Sequence, residues 1–245
     1  MNGTMNNKLF AQTAEPARDL ASLRIETPPV TLREMALDRL RDAIIAGLFN
    51  PGQRLVERTL CDQLGVSRSV IREVLRHLET EGLVETAPKQ GPIVARIDWR
   101  QARQIYDVRI ALETTAVADC ARNADSKTKE KLKAILQDLD RNSRKNDALT
   151  ILTATTDFYE TIFLSGVHEI AWDIVKRLNS RISRLRVMTL STTNRTVSGP
   201  ARMREIFNAI ERNDPEAATA ACRAHIMEAA RIAESLLVPA GQTKP

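Results

Sequence analysis

The segment from Gly65 to Glu79 limits the fold of this chain more narrowly than any other stretch. It predicts a tight turn, a helix N-cap at Ser67 and an amphipathic helix, because a serine hydroxyl can accept a hydrogen bond from the first turn. One face is apolar at helical spacing, with Val70, Ile71, Val74, Leu75 and Leu78. The polar edge carries Arg68, Ser69, Arg72 and Arg76. Such a helix can lie in a DNA groove with its arginines and the Ser69 hydroxyl free. An ordinary solvated face can look the same, so the flanking elements must decide.

The elements around this helix predict a winged helix-turn-helix. Apolar periodicity predicts helices over residues 32–47 and 57–64. After the arginine-bearing helix, β-favouring residues at 83–86 and 93–96 flank the turn-rich segment 87–92 and predict a hairpin. In a winged helix-turn-helix the last of three helices enters the major groove, and the hairpin contacts the flanking backbone or minor groove. The order of the elements therefore favours DNA recognition.

The rest of the sequence, from Asp98 onward, shows helical stripes and no strand pattern. Six helices are predicted, over residues 100–123, 127–145, 148–164, 169–190, 201–212 and 215–237. The predicted fold class is mainly α, with an N-terminal winged helix-turn-helix and a C-terminal all-α antiparallel six-helix bundle. The predicted segments are a flexible N-terminal arm (1–29), a DNA-binding domain (30–97), a helical domain (98–238) and a C-terminal tail (239–245).

The net charge of +5 does not by itself predict nucleic-acid binding. Residues 30–98 hold ten Lys or Arg and ten Asp or Glu, whereas residues 99–245 hold 23 basic and 18 acidic side chains. Because the predicted DNA-binding region is formally neutral, DNA affinity has to come from focused arginine contacts rather than from a diffuse basic surface.

Signals for membrane insertion, secretion or catalysis are missing from the sequence. No apolar run approaches the ~20 residues of a membrane span, and the polar N-terminus lacks a secretory signal, so a cytoplasmic location is expected. Cys61, Cys120 and Cys222 are odd in number and lie in helical patterns, which predicts reduced thiols. Glycine-rich phosphate loops, Gly-x-Ser-x-Gly turns and Cys-x-x-Cys pairs do not occur, so we do not expect an enzyme.

Leu55 to Val94 resembles the DNA-binding half of the GntR family of bacterial transcription regulators. The residues that carry the resemblance are Glu57-Arg58, Leu60, Leu64 to Arg68, Ile71 to Leu75, Leu78, Glu81 to Val84 and Gly91. The resemblance implies that operator DNA is contacted by an arginine entering the second helix, by arginines early in the recognition helix and by a wing glycine. By position these are Arg58, Arg68, Arg72 and Gly91, with Ser67, Ser69 and Gln90 as neighbours.

The helical half resembles the ligand-sensing, FCD-type domain of the FadR-like subfamily, closest to its six-helix, VanR-like branch. The residues that carry this resemblance are Arg109 to Glu113, Phe158-Tyr159, Ser165-Gly166, Arg181 to Arg186, Ala209-Ile210, Asp214, Ala218, Cys222 and His225. It implies that residues 98–238 bind an effector and hold a dimer, and that the effector is a small organic acid.

Many domains of this kind hold a metal with one aspartate and three histidines. The corresponding positions in this chain are Thr155, Tyr159, Met203 and His225. Only His225 is a usual ligand, whereas Zn, Ni and Mn sites need three or more N, O⁻ or S⁻ donors. We therefore expect no metal and no other cofactor. Cys222 and His225 could in principle pair around a metal, but a core cysteine and a hydrogen-bonded core histidine are the favoured interpretation.

The same four positions share apolar helix faces, so they predict an inward-facing pocket that persists without a metal. Arg109 either pairs with Glu113 one turn further on or clamps a ligand carboxylate, and the sequence leaves both open. The predicted effector-binding residues are Arg109, Thr155, Tyr159, Arg186, Met203 and His225. A solvated or subunit-facing edge is predicted for Arg177, Arg181 and Arg184.

These patterns together predict a transcription regulator, with repression favoured, that binds a pseudo-palindromic operator in double-stranded DNA as a homodimer. A small organic acid would release it, with a hinge at residues 96–100 decoupling the two recognition helices. Two alternatives remain open. One is a metal-dependent regulator of the same family, and the other is a non-regulatory helical enzyme or ligand-binding protein.

Overall fold

The architecture is mainly helical, as the sequence predicts. The computed structural model describes residues 31–143, 148–190 and 195–238, and within these ranges the chain forms nine helices and one two-stranded sheet. All of these elements fall within one unit, Leu32–Pro245. The predicted N-terminal arm (1–29) and C-terminal tail (239–245) lie outside the described residues.

The first five elements form the predicted winged helix-turn-helix. They are α1 (Leu32–Ile45), α2 (Glu57–Leu64), α3 (Arg68–Thr80), β1 (Val84–Ala87) and β2 (Gly91–Val94). Gly65 ends α2 in the left-handed conformation, with φ of 67°, and its amide donates to the Cys61 carbonyl. Ser67 then caps α3 by accepting a hydrogen bond from the Val70 amide at 3.4 Å. The predicted turn, cap and amphipathic helix are confirmed.

The hairpin, or wing, has a tighter turn than predicted. Its strands are antiparallel, with Val84 opposite Val94 and Ala87 opposite Gly91. The strands therefore lie one residue later (β1) and two residues earlier (β2) than predicted. Lys89 adopts a left-handed φ of 64°, which lets residues 88–90 reverse the chain where a six-residue loop was expected.

The six helices after the wing form the predicted all-α bundle. They are α4 (Trp99–Asn123), α5 (Ser126–Ser143), α6 (Ala148–Ser165), α7 (Glu169–Leu190), α8 (Arg195–Glu211) and α9 (Pro215–Leu237). The two longest, α4 and α9, pack against each other, and α5 packs on α6 and α8. Asp98 and Asp214 cap α4 and α9 through their side chains. None of the described helices has both the length and the apolar character needed to cross a lipid bilayer.

The largest difference from the predicted bounds is at α8, which begins at Arg195 rather than at residue 201. The predicted helix begins directly after Pro200, which cannot donate a helical hydrogen bond. The structure carries the helix through Pro200, and both Gly199 and Pro200 are buried, so packing offsets the single missing bond. α1 ends two residues early, at Ile45, since Gly47 takes a left-handed φ of 80°.

The two halves share apolar contacts across the predicted domain boundary. Leu152 of α6 belongs to the core formed by α1, α2, α3 and the wing, and Val187 of α7 packs against that core. The winged helix-turn-helix is therefore held by the bundle as well as by the connection near residue 97.

Candidate DNA-binding surface and effector pocket

The polar edge of α3 faces solvent while its apolar face is buried. The side chains assigned to DNA on this helix are all exposed, namely Arg68, Ser69 and Arg72, with Arg76 beyond them. The expectation that the arginines and the Ser69 hydroxyl are free was wrong at two positions. The Ser69 hydroxyl lies 2.8 Å from the Ser67 hydroxyl, and Arg72 pairs with Glu57. Since Ser67 also accepts from the Val70 amide, the two serines form a short hydrogen-bonded chain at the N-terminus of α3.

Arg72 contacts an acidic residue of the preceding helix. Its Nε donates to both carboxylate oxygens of Glu57 at 3.0 Å, and this hydrogen bond raises the pKa of Arg72 above its ordinary value. The Arg72 side chain is 59% exposed and that of Glu57 is 31% exposed. Glu57 belongs to the sequence motif, but its pairing with Arg72 was not predicted. The two residues are 15 positions apart, a separation that follows no helical period.

The other residues assigned to DNA lie at the start of α2 and in the wing. Arg58 and Gln90 are exposed. Gly91 has φ of 77°, and no atom lies within 4 Å of where a Cβ would be, so conformation rather than crowding favours glycine there. The wing is tied to α3 by the Thr86 hydroxyl, which donates to Glu79 at 2.9 Å. Recognition helix and wing therefore form one connected surface.

Glu81, directly after α3, joins the winged helix-turn-helix to the bundle. Arg41 of α1 donates to its carboxylate at 2.6 and 2.9 Å, and the Ser180 hydroxyl of α7 donates at 2.5 Å. Burial alone would raise the pKa of Glu81, but the hydrogen bonds from Arg41 and Ser180 lower it below its ordinary value. Arg181 also donates to the Glu81 carbonyl at 3.2 Å. We call Arg41, Glu81, Ser180 and Arg181 the Glu81 cluster.

The arginine edge of α7 does not behave as the sequence predicted. Arg177 is exposed, but Arg181 belongs to the Glu81 cluster and Arg184 donates to the Ala95 carbonyl, which follows β2. The expectation of a solvated or subunit-facing edge was therefore wrong for Arg181 and Arg184. Their acceptors are backbone carbonyls about 90 to 100 residues away in sequence, which local periodicity cannot reveal.

The predicted pocket is present inside the bundle. A cavity of about 40 Å³ is lined by Arg109, Thr155, Arg186, Met203 and His225, among others. Tyr159 lies beside it, with its ring centroid 6.5 Å from that of His225. The positions expected to point inward are all buried, namely Thr155, Tyr159, Met203 and His225. A single water needs roughly 10–15 Å³ of such space, so the cavity has room for a few waters or a small ligand.

Arg109 forms a buried ion pair with Glu113, which decides between the two interpretations left open. Its Nε donates to Oε1 at 2.7 Å and its Nη2 to Oε2 at 3.2 Å, and the two side chains are 2% and 0% exposed. Burial opposes the charged form of Arg109, but the Glu113 carboxylate outweighs it and raises the pKa of Arg109. The charge of Arg109 is therefore already balanced within the protein.

Arg186 lies beside the same pocket, is partly buried, and has no such acidic partner among the described residues. Within the described residues, neither its Nη1 nor the Tyr159 hydroxyl has a hydrogen-bond partner. The guanidinium carbon lies 5.8 Å from the centroid of the Tyr159 ring, a cation–π contact that compensates only part of the lost hydration. Burial, and next the nearby charge of Arg109, lower the pKa of Arg186 to about 10. Arg186 Nη1 and the Tyr159 hydroxyl, which both lack a hydrogen-bond partner in the described residues, form a site suited to an anion.

The four positions that correspond to metal ligands do not fit a metal. Thr155 donates its hydroxyl to the Ile151 carbonyl at 2.7 Å and lies 4.0 Å from the Met203 sulfur. Neutral hydroxyls and a thioether do not replace the aspartate and histidines of such a site. Burial raises the pKa of the Cys222 thiol, which keeps it protonated. No three His, Cys, Asp or Glu side chains gather into a possible metal site in the described ranges.

Comparisons with known families match both halves of the chain. Residues 32–94 match the family "Bacterial regulatory proteins, gntR family", and residues 104–228 match the family "FCD domain". The first match spans α1 to β2, and the second lies within the bundle of α4 to α9.

Individual relatives are transcription regulators. The chain is 31% identical over 155 residues to an HTH-type transcriptional regulator in the TAR-I ttuE-ttuC′ intergenic region of Agrobacterium vitis, covering 62% of this chain and 89% of that protein. It is 26% identical over 192 residues to the transcriptional repressor RspR of Escherichia coli, covering 77% and 83%. The solved structure of E. coli McbR/YncC aligns with a TM-score of 0.71 at 22% identity, covering 85% of this chain and 99% of that one, which shows a shared fold.

Proposed function

Because the chain belongs to the gntR family of bacterial regulatory proteins and carries an FCD domain, we propose that this DNA-binding transcription regulator is a repressor. It binds a pseudo-palindromic operator as a homodimer and leaves it when a small carboxylate enters the bundle. RspR, a relative that is 26% identical over 192 residues, is a repressor, which supports this sign of regulation. A regulator acts where its operator is, so we also propose a cytoplasmic location. The six helices of the bundle support placement in the VanR-like branch of the FadR-like subfamily.

The exposed arginine edge of α3 carries the DNA-binding part of the proposal. Arg68 and Arg72 would read base edges in the major groove, Arg58 would contact DNA from the start of α2, and Gln90 and Gly91 would approach the backbone from the wing. Ser67 and Ser69 stand beside them at the first turn of α3. Since basic and acidic side chains are equal in number over residues 30–98, this domain depends on these few contacts.

A binding measurement with single variants tests this assignment. The operator is first selected from a random duplex library with the full chain. Arg72→Ala is then expected to lose about 1–3 kcal/mol of discrimination between the operator and a single-base variant, measured by fluorescence anisotropy at fixed salt. Unchanged affinity and discrimination in both Arg68→Ala and Arg72→Ala would rule the assignment out.

The partly buried Arg186, whose Nη1 has no hydrogen-bond partner among the described residues, carries the effector part of the proposal. With Arg109 paired to Glu113, the pocket wall still holds a buried cationic nitrogen, Arg186 Nη1, that has no hydrogen-bond partner within the described residues. A ligand with one carboxylate would balance it, accepting from Arg186 Nη1 and the Tyr159 hydroxyl, while Thr155, Met203 and His225 shape the space around the rest of the ligand. Arg109 then lines the pocket beside the ligand, paired with Glu113, and does not itself bind the carboxylate.

Helix α7 offers a direct route from the pocket to the DNA-binding half. It carries Arg186 at the pocket and, within two turns, Ser180, Arg181 and Arg184 on Glu81 and Ala95. A ligand that draws Arg186 inward would favour a position of α7 in which these contacts change, and with them the orientation of α3. This route would act together with the proposed hinge at residues 96–100.

A stability assay with a panel of small carboxylates tests the effector site. A ligand at a hundred times its dissociation constant stabilises the folded protein by about 2.7 kcal/mol, which is visible as a shift in thermal unfolding. Arg186→Met should abolish the shift, whereas Arg177→Met, which removes an exposed arginine from the same helix, should keep it. Equal stabilisation of both variants, or by the uncharged amides of the same acids, would contradict the assignment. Stoichiometric metal in the purified protein would favour a metal-dependent regulator instead.

A further inference from the structure

We propose that Glu57 is a positioning residue that sets the sequence specificity of DNA binding by holding Arg72 through its Nε. The inference rests on the proposed role of Arg72 in reading the operator. It assigns a function to an acidic residue at the start of α2, where a negative charge beside DNA would otherwise only weaken binding.

The geometry of the pair leaves the reading end of Arg72 available. Both Glu57 oxygens lie 3.0 Å from the same nitrogen, Nε, on the inner side of the guanidinium. Within the described part of the chain, the two terminal amino groups of Arg72 make no hydrogen bond. An arginine can bond to the O6 and N7 atoms of a guanine with two parallel N–H groups, so the held side chain can present its terminal pair end-on.

Glu57 is itself fixed by its place in the fold. It lies in the first turn of α2, where the N-cap residue Val56 supplies no side-chain hydrogen bond. The positive end of the helix dipole favours a carboxylate at that position. Glu57 is also the less exposed member of the pair, at 31% against 59% for Arg72, so the arginine extends outward from it. The carboxylate is therefore the less exposed partner and the guanidinium the more exposed one.

A contribution to stability does not explain this pair, because exposed ion pairs contribute little to folding. A carboxylate at the DNA surface also repels phosphates, in a domain that has no surplus of basic side chains. On the correct sequence, the contact between the already ordered Arg72 and its base offsets this repulsion. Binding to other sequences keeps the repulsion without that gain, which widens the difference between the two.

The chain offers a matched control for the charge change. Glu73 of α3 pairs with Arg33 of α1 at 3.2 Å, and both side chains are well exposed. Glu73→Gln removes one negative charge from the same domain, and even from the recognition helix, without touching Arg72. A general electrostatic effect on DNA affinity should appear in both variants, whereas an effect on specificity should appear only in Glu57→Gln.

Anisotropy titrations of the full-length protein test the inference. Each variant is titrated with three duplexes. They are the selected operator, an operator with one base changed, and an unrelated duplex. The changed base is the one whose identity no longer affects the affinity of Arg72→Ala. Glu57→Gln should bind the unrelated duplex a few-fold more tightly. Its discrimination, the ratio of affinities for the operator and for the operator with one base changed, should fall roughly two- to ten-fold, the range expected from freeing one ordered side chain. Glu73→Gln should also bind the unrelated duplex more tightly but should keep full discrimination. In an Arg72→Ala background, Glu57→Gln should change discrimination no further.

The possible outcomes separate the inference from the proposal beneath it. Full discrimination in Glu57→Gln, together with a loss in Arg72→Ala, would overturn the role of Glu57 and leave that of Arg72 intact. Full discrimination in Arg72→Ala would overturn the role of Arg72 and the inference with it. Equal losses in Glu57→Gln and Glu73→Gln would show a general charge effect and also overturn the inference. Unfolding curves measured alongside identify any loss that arises from destabilisation.

Discussion

Arg109, which is fully buried, and Arg186, which is partly buried, line the same pocket, yet their partners differ. Arg109 is held by two hydrogen bonds to Glu113, while Arg186 has a buried Nη1 with no partner in the described chain. Removing one member of a buried ion pair leaves an uncompensated charge, whereas removing an already uncompensated charge relieves its desolvation. The same residue type therefore has opposite expected effects at two neighbouring positions.

Glu113→Gln should lower the free energy of unfolding by about 3–5 kcal/mol, because Arg109 would remain buried without its counter-charge. Arg186→Met should raise that free energy in the ligand-free protein by about 1–3 kcal/mol. Urea unfolding at neutral pH, after dialysis against carboxylate-free buffer, measures both. Comparable losses in the two variants would mean that Arg186 has a stabilising partner and would argue against an anion site.

At the scale of elements, α7 is a helix that contacts both the pocket and the winged helix-turn-helix. Its residues reach the pocket at Arg186 and the winged helix-turn-helix at Ser180, Arg181 and Arg184. The helix itself is predictable from its apolar stripe, and its bounds, Glu169–Leu190, agree with the predicted ones. Its partners are not predictable in this way, since they come from α1, the end of α3 and the segment after β2.

Glu81→Gln tests the Glu81 cluster through stability and pH. The substitution should cost about 1–3 kcal/mol at neutral pH, since it removes the charge that Arg41 and Ser180 both contact. The pKa of Glu81 is lowered in the folded protein, so this contribution is complete above the ordinary value of 4.5 and is lost as pH falls through the lowered pKa. The difference between the wild type and the variant should therefore shrink below about pH 4.

Urea unfolding between pH 3 and 7 measures this prediction. Asp38→Asn is the control, because Asp38 pairs with the same Arg41 but is 67% exposed, and its loss should cost well under 1 kcal/mol. A difference between wild type and Glu81→Gln that stays constant across this pH range would show that the Glu81 charge does not stabilise the contact between the halves.

At the scale of the whole molecule, the proposed homodimer sets the geometry of the operator. Two recognition helices related by a two-fold axis read half-sites about one helical turn apart, on one face of the DNA. A neutral DNA-binding domain gains little from non-specific attraction, so engaging both half-sites together matters more for this chain than for a strongly basic one.

Inserting about five base pairs between the half-sites should lower operator affinity by at least about 100-fold, because half a helical turn moves them to opposite faces. Anisotropy titration with the altered duplex measures the loss, and light scattering in parallel gives the number of chains in the complex. An insertion without effect, or a complex holding a single chain, would contradict the dimeric mode of binding.

The sequence by itself determined the elements and their order. Turn, cap and apolar spacing between Gly65 and Glu79 define α3 because each acts over four residues or fewer, and the same local rules placed the helices of the bundle. Side chains on apolar stripes were also correctly expected inside, including those of the pocket. The family resemblance, which depends on such local motifs, followed from the same stretches.

Only the tertiary structure decided which polar groups meet. Glu57 reaches Arg72 across 15 residues, Arg41 reaches Glu81 across 40 and Arg184 reaches Ala95 across 89, and no periodic rule links such positions. It also decided that Arg109 pairs with Glu113, whereas Arg186 Nη1 has no hydrogen-bond partner among the described residues. Hydrogen bonds and ion pairs depend on distances of about 3 Å, which chain folding sets through the packing of many residues at once.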